Sequence, residues 1–484
     1  MSRASISETG SGCDGPHRGA AVIDVLREAL AGERAWLVGG ALRDRLLGRP
    51  TPDLDIVVEG DPRSAARRLG RGAGGASFEL SDQFGAWRVV SRDRSWQVDI
   101  SPMQGGSLDA DLAARDLTVN AMAEPLSGGD LVDPHGGARD LAERRLRMVS
   151  PAAFDADALR TLRVARLATE LAFEIEPATA DAVRAHAAGL ERVAQERVFS
   201  ELRRLVGAED PVRGIAIVDE LQLTAHVLPE LADLRGVEQN RYHHRDVHGH
   251  TIEVLQATVE LERDPGRALG DDALAGPVLA LLAEPLADEL TRGGALRFGA
   301  LLHDIAKPRT RTELPNGRIG FPHHDEQGAE MARAALARLR ASERLRAHVA
   351  ALARHHLRLG FLVHDMPLDR RAIYRYLLAC EPVEVDVTLL SVADRLATRG
   401  RNADEAIARH VELARTVLAA ALERRGQGSQ APLVRGDELA AELGIPRGPE
   451  LGNLLEEIAE ARFAGEVSTR SEAIALARAA LRAR

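Results

Sequence analysis

Aromatic residues are scarce. They make up 3% of the 484 residues, with three Trp and three Tyr among them. Hydrophobic residues nevertheless reach 45%. The cores must therefore be built mainly from Ala, Leu and Val, a composition that favours helices. Cysteine is scarcer still. Cys13 and Cys380 are the only two, too few for a disulfide framework and not spaced as a metal site. Lys307 is the sole lysine; every other long cationic side chain is arginine. No run approaches the ~18 apolar residues of a membrane span, so no membrane partner is expected. The opening MSRASISETGSGCDGPHRG lacks the apolar stretch of a signal peptide and reads as a disordered tail. A reducing, cytoplasmic setting is expected. The formal net charge of −10 argues against a chain that binds nucleic acid through its overall charge. Any such binding must rest on a local basic patch.

What is present begins with LVGGALRDRLLGRPTPDLDIVV, residues 37–58. Two glycines close an apolar strand, an Arg-rich helix follows, and Asp53 and Asp55 then alternate along a second strand. Residues two apart in a strand point to one face. Two such carboxylates repel each other unless a cation lies between them. Mg²⁺ suits the position, because it takes oxygen ligands and is usually held by one or two carboxylates plus substrate phosphates. Asp99, on the strand WQVDI, would complete three converging acids if that strand is a neighbour, as two-metal phosphoryl transfer requires. Gly39 and Gly40 leave backbone N–H groups open to an anion, and Arg43 stands in the first turn of the helix that follows. A solvated D-x-D is common; a D-x-D placed just after a phosphate cradle is not.

The wider pattern divides the chain. Short strands (AWLV, DLDIVV, WRVVS, WQVDI) alternate with short helices up to about residue 140, and helical periodicity dominates thereafter. The expected organisation is α+β: a disordered tail over 1–19, a small head with a β-sheet over 20–145, a helical neck over 146–239, a histidine-rich domain over 240–410 and a C-terminal helical domain over 411–484. Loops are expected at 264–277, 315–322 and 424–432, where Gly and Pro cluster.

The segment 37–58 resembles the signature of the nucleotidyltransferase superfamily, in its class II tRNA nucleotidyltransferase and bacterial poly(A) polymerase branch. DLAARDLTVNAMA (111–123), DPHGGARDL (133–141), DADALRTLRVARLA (155–168), ERVFSELRRLV (196–206) and PLVRGDELAAELGIPRGPELGNLL (432–455) resemble further blocks in the family's order. Ala114, Leu117 and Ala156 depart from the usual Arg, Phe and Glu. The resemblance implies that Asp53, Asp55 and Asp99 carry catalysis with Mg²⁺. It further implies that Gly39, Gly40, Arg43, Arg115, Asp116, Asn120, Asp157, Arg160, Arg163 and Arg166 bind the nucleotide. Asp157 and Arg160 are expected on one helical face. An acceptor beside a donor there would match the exocyclic amine and ring acceptor of cytosine or adenine. The neck and the C-terminal domain would bind RNA. The implied partners are tRNA with CTP and/or ATP. Addition of CCA, of CC alone, of A alone and poly(A) synthesis all remain open, as does the oligomeric state. CCA-adding members usually carry a longer flexible segment where this chain has only ISPMQGGSLDA between Asp99 and Asp111.

A second cluster follows. His250, then His303-Asp304, His324, the pair His355 and His356, and Asp394 occur in the order that resembles the HD metal-dependent phosphohydrolase domain. Imidazole and carboxylate suit several divalent metals. Two such metals would activate water against a phosphate ester. An HD phosphohydrolase whose head only binds RNA is the alternative that intact Asp53 and Asp55 oppose.

Overall fold

The computed structural model describes residues 16–81, 85–239, 244–315, 317–399, 403–428 and 430–483. The expected tail lies outside them up to residue 15, as does Cys13; helix α1 (Pro16–Ala29) begins within its last four positions. The chain folds as two compact units. One comprises Met1–Val193 with Glu220–Leu223, and the other Ala194–Asp219 with Thr224–Arg484. The division thus falls inside the segment 146–239 expected as one neck.

The first unit is built on a six-stranded sheet in the order β3-β4-β5-β2-β1-β6. Its strands are β1 (Ala35–Val38), β2 (Asp53–Val58), β3 (Ala76–Ser81), β4 (Ala86–Val90), β5 (Gln97–Pro102) and β6 (Ala123–Pro125). β2 and β5 are parallel, and β1 pairs antiparallel with β2 and β6. Helix α2 (Gly39–Leu46) follows β1 directly, and helix α3 (Pro62–Ala73) links β2 to β3. α3 starts where Asp61 accepts from the N–H groups of Arg63 and Ser64, and stops at Gly74, whose φ is 65°. Its Ala65, Ala66 and Leu69 are fully buried against the sheet. The rows Leu54–Val98–Val89 and Ile56–Ile100 supply the apolar face. Each Leu or Ile buried there contributes roughly 1.5–3 kcal/mol.

On the opposite face, β2 is half covered. Val57 joins Trp36, Val38, Leu112 and Ala123 in a small core, whereas Asp53 and Asp55 remain open to solvent. This explains how a buried strand carries two acids. The sheet needs apolar side chains at every β2 position except the two at its open N-terminal end.

Among the described residues the second unit is helical, apart from two short two-stranded ladders. The loop expected at 264–277 is instead two helices, Pro265–Leu269 and Asp272–Leu282. Its turn-forming residues are helix caps. Asp264 and Asp271 accept from the N–H groups of Arg267 and Ala273, and Gly270 closes the first helix at φ 65°. The helix Ala403–Gln427 likewise runs into the loop expected at 424–432. Residues 315–322 contribute the strand Ile319–Gly320, which pairs with Thr312–Glu313. No helix among the described residues is long and apolar enough to cross a membrane.

Candidate functional site

β2 and β5 pair in register, with Asp55 opposite Asp99 and Asp53 opposite Gln97. The three acids therefore share one face of the sheet, and of the three Asp55 lines a concavity of about 260 Å³. Gly39, Gly40, Asp55, Arg115, Asp116, Asn120, Arg160 and Arg163 line it, together with Gln104, Asp111 and Ala114. Gly39 has φ 68°, and a Cβ there would lie 2.9 Å from Arg115 Nη1 and 3.3 Å from Asp55 Oδ2. Only glycine lets the backbone approach these groups so closely.

Loss of water around the Asp55 carboxyl pushes it up to about 6, with Arg115 pulling the other way and Asp99 and Asp53 adding repulsion. A cation relieves this conflict, so the donor set fits a hard divalent ion. Asp99 is differently placed. Both its oxygens accept from Arg88, Nε to Oδ1 and Nη2 to Oδ2, each at 2.7 Å.

A buried chain of hydrogen bonds joins the helices around the concavity. Arg43 Nη1 donates to Asn120 Oδ1 at 2.7 Å, and Asn120 Nδ2 donates to Asp116 Oδ1 at 3.0 Å. Arg163 Nη1 reaches Asp116 Oδ2 at 3.3 Å. The Asp116 carboxyl is held below its usual range: Arg163, the Asn120 amide and the Leu117 N–H outweigh burial. Arg115 is clamped by Asp111, whose Oδ1 also accepts from the Gln104 N–H. Arg88, Asp111 and Gln104 were not singled out in the sequence. The i,i+4 spacing of Asp111 and Arg115 was the available signal.

Two expectations need correction. Asp157 and Arg160 do not share a helix: one helix ends at Ala156 and the next starts at Leu159. Asp157 is extended, and its Oδ1 accepts from the Leu159 N–H at 3.2 Å. A short acidic side chain competes with the backbone for this hydrogen bond and breaks the helix. Arg166 does not line the concavity; it pairs with Glu170 one turn on.

The second cluster lies in the second unit. His250, His303 and Asp304 form one group whose ligand atoms lie within 4.8 Å, and Asp304, His324 and His356 form another. Asp394 joins through His250 Nε2, at 3.0 Å. His303 Nε2, His324 Nε2 and both Asp304 oxygens are buried and make no well-aligned hydrogen bond. Converging buried donors and acceptors left without such bonds suit metal ions shared at Asp304. Burial, with His303 adding, lowers His356 to about 4, which keeps it the neutral imidazole a metal needs. His355 does not belong to this group. Adjacent helical residues point about 100° apart, and His355 Nδ1 accepts from Arg358 instead.

Beside the cluster lies a cavity of about 450 Å³, lined in part by Lys307, Phe321, Arg395 and His410. Lys307 Nζ sits 2.6 Å from Asp304 Oδ2 and 5.3 Å from the Phe321 ring centre. Its standing as the sole lysine was the signal available for it.

Comparison with known proteins finds a family domain over each of the two clusters. Residues 35–147 match the poly A polymerase head domain, 172–234 the probable RNA and SrmB-binding site of polymerase A, and 247–399 the HD domain. The A-adding tRNA nucleotidyltransferase of Deinococcus radiodurans is 38% identical over 91% of this chain and 94% of its own. The CC-adding tRNA nucleotidyltransferase of Thermus thermophilus is 35% identical over 91% and 92%. The fold matches that of the Thermotoga maritima CCA-adding enzyme complexed with tRNA, with a TM-score of 0.62 at 19% identity over 96% of this chain and 98% of that one. With its catalytic-type head and its histidine cluster on one polypeptide, the chain belongs to the family of tRNA nucleotidyltransferases and bacterial poly(A) polymerases, in a form that carries an HD domain.

Proposed function

We propose that the chain adds cytidine to the 3′ end of tRNA lacking its terminal nucleotides, and stops after two. The observation that carries this reading is the segment between β5 and Asp111. It is short and tightly turned: Gln104–Gly106 forms a single 3₁₀ turn, and helix α4 (Leu108–Ala113) follows at once, capped by Ser107. A Cβ on Gly105 would lie 2.7 Å from Ala110 Cβ. A segment packed in this way has little reach to remodel the pocket between two bases, so a single nucleotide specificity follows.

In this reading the 3′-hydroxyl oxygen of tRNA attacks the α-phosphorus of CTP. The bond to the β-phosphate oxygen breaks, pyrophosphate leaves, and the hydroxyl proton passes to solvent. Asp53 and Asp55 would hold Mg²⁺, which when bound would supply electrostatic stabilisation of charge on the transferring group. Gly39 and Gly40 admit the triphosphate close to the backbone. Arg160 donates to the ring acceptor of the base, and Asp157 accepts from its exocyclic amine. A carboxylate has about four acceptor sites, so the contact with the Leu159 N–H is compatible with that role. His250, His303, Asp304, His324, His356 and Asp394 would hold a divalent metal, which would supply activation of water for hydrolysis of a phosphate ester.

A second reading is addition of adenosine alone, favoured by the 38% identity to an A-adding enzyme. The test supplies tRNA lacking all three terminal nucleotides, or only the last one, with CTP and ATP together. A product two nucleotides longer on the first substrate, and none on the second, supports CC addition. Extension of the second substrate alone supports A addition. A three-nucleotide extension or a long tail overturns both. Asp53→Ala or Asp55→Ala should abolish addition while the circular dichroism spectrum stays that of the parent.

A further inference from the structure

The acidic row of the head contains a cation of its own. β4 and β5 pair so that Arg88 lies directly opposite Asp99, and β5 and β2 pair so that Asp99 lies opposite Asp55. Arg88, Asp99 and Asp55 therefore run as one row across one face of the sheet. The fork of Arg88 meets both oxygens of Asp99 at 2.7 Å. Two parallel charge-assisted hydrogen bonds are the strongest arrangement available to these groups, and they fix the carboxylate's orientation. Asp53, Asp55 and Asp99 do not converge as a group of three ligand atoms, whereas the HD residues do. The difference has a physical cause. Three adjacent carboxylates repel one another, and Arg88 removes the third by pairing with it.

We propose that Arg88 is a positioning residue that withholds Asp99 from the divalent cation, so that the head holds its metal with two carboxylates, Asp53 and Asp55. Asp99 then serves as the anchor of Arg88. This proposal rests on the nucleotidyltransferase reading given above.

The test is a Mn²⁺ titration of the full-length protein, with free Mn²⁺ followed by electron paramagnetic resonance. Head binding is the part lost in the Asp53→Asn/Asp55→Asn variant, which separates it from binding at the HD cluster. Asp99→Asn should leave head affinity within about twofold, whereas Arg88→Gln, which releases Asp99 as a further carboxylate ligand, should tighten it severalfold, because ligand charge count sets affinity for a hard cation. The double variant Arg88→Gln/Asp99→Asn should return to the parental value. Arg88→Lys, which keeps the charge but not the fork, should tighten binding by less, and it serves as the informative variant if Arg88→Gln fails to fold. Weakening by Asp99→Asn as large as that by Asp55→Asn, or no tightening on changing Arg88, overturns the proposal. The activity reading fails separately, by persistence of nucleotide addition in Asp53→Asn/Asp55→Asn.

Discussion

Arg43 and Asn120, 77 positions apart, are joined by a buried 2.7 Å hydrogen bond from Nη1 to Oδ1. Asn120 passes the connection to Asp116, which in turn meets Arg163. An amide suits this place because it accepts from a cation on one side and donates to an anion on the other. Asn120→Ala leaves both partners short of a hydrogen bond and should cost about 1–3 kcal/mol, read from urea denaturation, with a higher KM for the nucleotide. Asn120→Asp should be no better, since it keeps the acceptor for Arg43 but sets a second carboxylate against Asp116.

Gly39→Ala should cut nucleotide addition severely. The backbone at φ 68° is unfavourable for any residue with a Cβ, by about 1–2 kcal/mol. The added methyl would also push on Arg115 and Asp55. Gly48 shares a φ of 68° but has open space around it. Gly48→Ala should therefore carry the backbone cost without the loss of activity, and steady-state kinetics on the two variants separates strain from site damage.

His356→Ala should remove metal from the HD cluster, and His355→Ala should not. His356 is 1% exposed and belongs to the group around Asp304, whereas His355 faces Arg358. Metal analysis of the purified variants decides this. His303→Ala or Asp304→Ala should also lose metal while nucleotide addition persists, because the two clusters lie in separate compact units.

Asp386→Asn should destabilise the second unit by about 3–5 kcal/mol, the cost of breaking a buried ion pair. Asp386 is fully buried and accepts from Arg292 Nε at 3.1 Å. Although burial acts to raise the Asp386 carboxyl, contacts with His348 and Arg292 hold it below its usual range. A carboxylate lowered in the folded state contributes stability above its unfolded pKa of ~3.9 and loses it as pH falls further. The gap between parent and variant in urea midpoint should thus be full at pH 7 and narrow as the pH drops below about 4.

The sequence by itself determined the chemistry. A D-x-D on a strand needs no tertiary information to place Asp53 and Asp55 side by side, because the period of a strand is two. The order of the histidines marked the second cluster only through its resemblance to the HD domain. Local rules failed where one residue type serves two purposes. The Gly, Pro and Asp of 264–277 were legible as breakers, but whether they end a loop or cap a helix depends on the packing of neighbouring segments. Asp157 was legible as a partner of Arg160, yet its contact with the Leu159 N–H breaks the helix that would have aligned them. Tertiary structure alone decided which of two adjacent histidines turns inward. It alone set Arg88 opposite Asp99, because strand register is a property of pairing between distant segments, and no local pattern fixes which cation will meet which acid.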